Sequence, residues 1–382
     1  MRRYLFGIVA AAGVLCAVGV MAGMEPAPSA PLGLPPVPVP ENNPQTVAKI
    51  ALGDKLYNET RFSTDGEVGC FTCHDPAKAF TDSPLKVSEG IEKKTGTRNA
   101  PTVVNSAYFT TQFWDGRSPD LEDQALHPFT NPVEHGLADH EPILEIVRTD
   151  PEYAKAFEEV FGTSGDEITM REVTMAIAAF ERTVVSGNSP FDRFFYGGEK
   201  DALTEQQKRG FDIFVNQGRC VSCHVIEQTQ ALFTDNRFHN IGVGINDIQD
   251  DVPELAGEFM KAEATLSEVD VQVLTDARTS ELGRFAVDRD VKGIGAFKTP
   301  TLRNIALTAP YMHDGSIETL EDVVVHYLNG GVTEAGDPVN DFLSGGIRPL
   351  NIEVEEIEDL VAFMEALTSP EIEAQMATAE GE

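Results

Sequence analysis

The sequence predicts a mainly α-helical chain built as two similar units in tandem, with little β structure, and three observations carry that expectation. One spacing occurs twice, as Cys70-Phe71-Thr72-Cys73-His74 and as Cys220-Val221-Ser222-Cys223-His224. Each copy follows a similar phrase, Gly53-Asp54-Lys55-Leu56-Tyr57 before the first and Gly210-Phe211-Asp212-Ile213-Phe214 before the second. A repeated helix-plus-motif unit reads as an internal duplication. The third observation is length, since 382 residues exceed one ordinary core and suit two.

In C-x-x-C-H, two thiols add across the two vinyl groups of a haem, and the adjacent imidazole binds the iron from one face. Cys70, Cys73 and His74 therefore predict one covalent haem c, and Cys220, Cys223 and His224 a second. A zinc site would need four ligands drawn from both copies, and a redox dithiol would not need the histidine. Two cytochrome c-like domains follow. These four cysteines leave only Cys16 of the five, so no disulfide is expected.

The formal net charge is -33. Such a field repels nucleic acid and anionic lipid, and it favours a basic partner such as a small positively charged cytochrome. Solubility in a salty habitat is the plainer account of the same acids.

In chain order, Arg2 and Arg3 precede an apolar run without charge to Met24. Residues 1–24 read as an export signal, or, if uncleaved, as an N-terminal membrane anchor, which places the body of the protein in the periplasm. Prolines recur through 25–44, which reads as an extended linker. Residues 45–198 form the expected first unit. Its opening helix, 46–58, is followed by irregular chain from the haem motif to about Pro101. A helix over 168–185 has Val173, Ile177, Phe180 and Val184 on one stripe and a capping box from Thr169 and Glu172.

The expected second unit, 199–350, begins at a boundary near Tyr196-Gly197-Gly198. Its first helix carries a capping box of Thr204 and Gln207. Within it, residues 246–281 are acidic and weakly periodic and read as a surface insertion. A helix is expected at about 320–328, and another after Ile352. Residues 351–382 then end in a frayed acidic tail.

Several further motifs follow in order: Arg98-Asn99-Ala100-Pro101-Thr102, Gln112-Phe113-Trp114-Asp115-Gly116-Arg117, Glu122-Asp123-Gln124-Ala125, Asn131-Pro132-Val133-Glu134 and the stretch 297–315. Together with the two haem motifs, they resemble the bacterial dihaem cytochrome c peroxidase and MauG family. The resemblance implies a peroxidatic first haem and an electron-accepting second haem. It makes Glu134 the distal acid-base group, with Gln124 and Pro128 beside it. Splitting the O–O bond of peroxide heterolytically requires a proton to move from one oxygen to the other, and a carboxyl group can carry it. Outside this context Glu134 would be read as a solvated loop residue, and Gln124 and Pro128 as loop packing. Trp114, the only tryptophan, matches the residue that lies between the two haems in the family. A calcium ion between the domains is also implied, with Asn99, Thr308 and Pro310 at the matching positions. Such oxygen donors suit a hard cation.

Two departures from the family's peroxidases stand out. Where members that need reductive activation have a distal histidine, this chain has Ile91, which cannot ligate iron, so the first haem is expected to be five-coordinate when oxidised. Fourteen residues after His313 stands Tyr327, where peroxidases of the family have methionine and MauG has tyrosine. Tyr327 is therefore the favoured distal ligand of the second iron, with Met312 and His326 as competitors. The tryptophan that MauG carries two residues before its second haem motif is Gly218 here.

The expected activity is reduction of hydrogen peroxide to water. Electrons would come from a cytochrome c or small copper protein at the second haem and pass Trp114. The alternatives are a MauG-like oxidase acting on a protein substrate and a non-catalytic dihaem electron-transfer protein. A homodimer is compatible with the sequence but not indicated by it.

Overall fold

A helix laid across another can approach closely only where one side chain is missing, and both halves solve that problem with glycine. The computed structural model describes residues 30–261 and 264–379; the expected leader 1–24 lies outside them. In the first half the helix Val47–Tyr57 crosses Met170–Glu181, and a Cβ at Gly53 would run into the Ala176 carbonyl. In the second, Glu205–Val215 crosses Val354–Glu365, and a Cβ at Gly210 would meet the Asp359 carbonyl. The repeated Gly phrase is thus the contact point of one crossing built twice. The capping boxes at Thr169/Glu172 and Thr204/Gln207 form as expected.

Around each crossing lies an apolar core. Leu52, Phe62, Phe129, Phe157 and Ile177 belong to the first, and Phe191, Phe214, Phe233, Leu360 and Phe363 to the second. Helices Glu141–Thr149 and Pro151–Phe161, to which the sequence reading assigns nothing, complete the first core. The mainly α expectation holds. Among the described residues the only paired strands are Phe238–His239 and Phe297–Lys298, antiparallel, with Phe238 opposite Lys298.

The duplication extends into the loops. Asn105 and Asn304 both take left-handed backbone and cap short turns. Thr102 Oγ1 donates to the Ala79 carbonyl at 2.6 Å, and Thr301 Oγ1 to that of Leu232 at 2.8 Å. The halves also exchange backbone bonds, Asn99 N–H to the His313 carbonyl at 2.8 Å and Lys298 N–H to the Trp114 carbonyl at 2.7 Å. His313 therefore occupies, in the second half, the place that Trp114 has in the first.

Three expectations need correction. The described part of the Pro-rich linker is extended but not a free spacer. The Gly33 carbonyl accepts from Arg303 and from Ala231 N–H, Leu32 from Asn188, and Pro35 from the Tyr108 hydroxyl, so the segment is laced across both halves. The end of the chain is not wholly frayed, because Pro370–Ala379 is a helix whose Ile372 joins one apolar core with Ala79, Phe80, Val103, Val104 and Val184 of the first half.

Residues 246–281 are not merely a surface insertion. Helices Val252–Lys261 and Leu266–Thr275 enclose their own core of Ile245, Val252, Phe259, Val269 and Val273. Several of their polar groups point inward. Thr97 Oγ1 donates to the Val273 carbonyl and Arg98 to Ser280, while Arg117 pairs with Asp270. The acidic composition suggested solvation, whereas these groups answer cations far away in sequence.

Candidate active site

The two C-x-x-C-H motifs line one cavity of about 390 Å³ that runs from Cys70, Cys73 and His74 past Trp114 to Cys220, Cys223 and His224. Cys70–Cys73 is a single helical turn capped by His74. His74 Nδ1 lies 3.3 Å from the Phe80 carbonyl, and His224 Nδ1 lies 2.9 Å from that of Phe233. Both phenylalanines have positive φ, which turns their carbonyls onto the rings. A carbonyl can only accept, so Nδ1 carries the proton in each ring and Nε2 is left as the lone-pair nitrogen. Burial lowers the pKa of both histidines and keeps them neutral, the form that binds a metal. Paired thiols, a neutral oriented imidazole and a shared apolar space fit two covalent haem c groups.

Gln124, Pro128 and Glu134 all stand in the wall of the same cavity. Gln124 ends the short helix Leu121–Gln124, which Asp120 caps. Pro128 lies in the next turn, His127–Thr130. Glu134 follows a tight turn in which its own N–H donates to the Asn131 carbonyl at 3.2 Å. Burial, reinforced by Asp270 and opposed by Arg117, pushes the Glu134 carboxyl up to about 8. It can therefore hold or release a proton near neutral pH.

Ile91 is buried, and its side chain packs beside Gly136. Its loop offers Ser88, Gly90 and Gly96 to the cavity, and its N–H is held by the Glu134 carbonyl at 2.9 Å. The chain at 88–96 therefore braces the Glu134 turn.

On the second side, the helix Leu320–Leu328 presents Leu320, Val323, Val324 and Tyr327 along one face to the cavity. Met312 also lines it. His326 turns the other way, with Nε2 2.8 Å from the Ile241 carbonyl, and does not line the cavity. Burial, with a smaller contribution from Cys220 and Cys223, raises the pKa of the Tyr327 phenol. Asn99, Thr308 and Pro310 likewise line the cavity. The Asn99 amide nitrogen donates to Lys86 and Leu85, and its carbonyl accepts the Trp114 indole N–H at 2.9 Å.

Composition did not reveal the charged frame behind these groups. Asp115 is fully buried between Arg98, at 2.6 Å, and Arg117, at 3.0 Å. Arg117 continues to Asp270 at 2.7 Å, and its guanidinium lies 3.5 Å from the centre of the Phe113 ring. His313, buried and stacked on Phe297, meets Glu281 at 2.8 Å. His135 is buried with Nδ1 on the Phe62 carbonyl at 3.0 Å. The Arg-Asn and Asp-Gly-Arg phrases were visible in sequence; their partners at 280 and 270 were not.

Comparison with known proteins agrees with this arrangement. The family model described as di-haem cytochrome c peroxidase matches residues 47–201. A cytochrome-c peroxidase, IdrP1, of Denitromonas iodatirespirans is 36% identical over 373 residues, 95% of this chain and 92% of that protein. The chain belongs to the di-haem cytochrome c peroxidase and MauG family. The methylamine utilization protein MauG of Methylorubrum extorquens is similar to the same degree, 36% over 331 residues, covering 87% of this chain and 81% of that one. Among solved structures, a MauG-like protein associated with microbial copper homeostasis superposes with a TM-score of 0.72 at 31% identity, over 90% of this chain and 96% of that one. As a member of this family the chain is a dihaem c-type oxidoreductase of the peroxidase type. No helix among the described residues is long and apolar enough to cross a membrane.

Proposed function

We propose that the chain works in the periplasm and reduces hydrogen peroxide to two waters. It would take two electrons, one at a time, from a small redox protein, a cytochrome c or a copper protein. The two haem c groups, when bound through Cys70, Cys73, His74 and Cys220, Cys223, His224, supply the electrons and the place where peroxide is held. Glu134 would accept a proton from the peroxide oxygen that is retained and return it to the departing oxygen, which leaves as water; the two electrons and two protons from solvent then turn the retained oxygen into the second water. Gln124 orients peroxide by hydrogen bonding, and Pro128 fills the wall without offering a competing donor. Trp114, fixed by the Asn99 carbonyl, lies on the path between the halves. Asn99, Thr308 and Pro310 would hold a calcium ion through amide and carbonyl oxygens.

The observation that supports this reading is Glu134, a carboxyl with its pKa raised toward neutrality in the wall of the cavity that His74 shares. Peroxide consumption with a reduced small c-type cytochrome tests it. Two cytochromes oxidised per peroxide are expected; a protein with both haems attached that consumes no peroxide is only a wire.

Tyr327 supports a second reading, oxidation of a partner protein as in MauG, because its phenol lines the second half of the cavity. Formation of a radical or quinone on a co-purified partner would establish it. Tyr327→Phe is expected to change the ferric electronic spectrum of the second haem; an unchanged spectrum passes the ligand role to Met312.

A further inference from the structure

The acidic segment sends one carboxylate to the rear of the Glu134 turn. Asp270, on the helix Leu266–Thr275, is buried. It accepts from Arg117 Nε and from Asn131 Nδ2, each at 2.8 Å. Asn131, fully buried, organises the turn that carries Glu134. Its backbone carbonyl accepts the N–H groups of Glu134 at 3.2 Å and Gly136 at 2.9 Å, and its side-chain oxygen accepts Val133 N–H at 3.1 Å. The remaining end of that amide, Nδ2, rests on Asp270. Arg117 and Phe113, the ring it covers, line the cavity.

We propose that Asp270 is a positioning residue for the peroxidase reaction: it anchors Asn131, and with it the Glu134 turn, and it neutralises Arg117 so that Glu134 has no cation of its own. The inference rests on the reading of Glu134 as the acid-base group. Its electrostatic logic is a count of signs. Arg98 and Arg117 are matched by Asp115 and Asp270, so the four side chains sum to zero and the pull of Arg117 toward an ionised Glu134 is offset by Asp270. The groups that act on the Glu134 carboxyl are Asp270 from its helix and Arg117 from the loop after Trp114. Cys70 and Cys73 lie near enough to feel it and are uncharged as thioethers. The adjacent His135 is held neutral by burial.

The test is the pH titration of the Glu134 carboxyl in the haem-loaded protein, followed as the infrared C=O stretch that disappears in Glu134→Gln. Asp270→Asn leaves Arg117 with surplus charge, so the midpoint should fall by about one pH unit or more, roughly a tenfold loss of proton affinity. The acid limb of the peroxide turnover profile should move with it. Unmoved midpoint and limb, with both haems attached, overturn the proposal. Should Asp270→Asn lose haem, Asp270→Glu, which keeps the charge but displaces Asn131, carries the test. Reduced turnover is then expected, and turnover and midpoint equal to the parent's overturn the proposal. The two readings fail separately. A Glu134→Gln variant with full turnover removes the acid-base role itself, whereas an inactive Glu134→Gln beside an unmoved Asp270→Asn removes only Asp270.

Discussion

Glu134→Gln is expected to lower kcat/KM for hydrogen peroxide by roughly 10²–10⁴-fold, the usual contribution of a positioned proton carrier. Glutamine keeps the volume and leaves the turn bonds of Asn131 intact, so haem attachment and the resting spectrum should match the parent. The loss then reports proton transfer and not packing. In the parent, burial and Asp270 hold the carboxyl up to about 8, so the ionised form that accepts a proton becomes more populated as pH rises through that value. Turnover should climb over the same range and level off, while the variant's residual rate should be flat there. Stability moves in the opposite sense. The native chain holds the Glu134 proton more tightly than the unfolded chain does, so folding free energy declines from about 4.5 up to about 8. The glutamine variant lacks that decline. Steady-state kinetics from pH 5 to 9, with haem content checked, decide the matter; a loss smaller than tenfold would remove Glu134 from the reaction.

What was legible in the sequence is what local chemistry encodes. The haem motifs need their residues in an unbroken run, and capping boxes need theirs within one turn, so Thr169/Glu172 and Thr204/Gln207 could be placed from sequence. The stretch 320–328 shows its apolar face at helical spacing, and the helix forms at those bounds. The repeated glycine phrase was visible as a pattern, but its cause, the Ala176 and Asp359 carbonyls, lies more than a hundred residues away. The same holds for the acidic segment. Asp270, Ser280 and Glu281 lie among acidic neighbours that face water, and nothing local distinguishes the inward ones. Their partners Arg117, Arg98 and His313 are distant in the chain, and only the folded structure brings them together. The Pro-rich linker misled for a related reason: proline content dictates extended backbone, but not whether that backbone is docked. Glu134 itself was legible only through the family motif, since its burial comes from the fold and the carboxylate that reinforces its raised pKa, Asp270, comes from the helix Leu266–Thr275.

The buried frame also carries stability, and Asp115→Asn is expected to show it, with a loss of about 3–5 kcal/mol at neutral pH. Asp115 is fully enclosed and answers two guanidiniums at once. Burial alone would raise its pKa, but Arg117 and Arg98 override that and hold the carboxyl well below the ordinary range. Asparagine keeps the shape and one acceptor but no charge. Two buried arginines would then share Asp270 as their one remaining carboxylate in the frame, and the cost of the variant is chiefly that uncompensated charge. The sign with pH follows from the depressed pKa. Asp115 contributes in full above its unfolded value near 3.8, and the contribution is lost as pH falls through the folded value. The gap between parent and variant should therefore be wide at pH 7 and narrow progressively below about pH 4. Urea titrations followed by circular dichroism at several pH values measure it. Arg209 and Asp359 are the control, because they form an exposed pair whose removal should leave the midpoint close to the parent's. A gap that stayed constant across the acid range would mean that asparagine acts through packing, and that the Asp115 charge does not hold Arg98 and Arg117 in place.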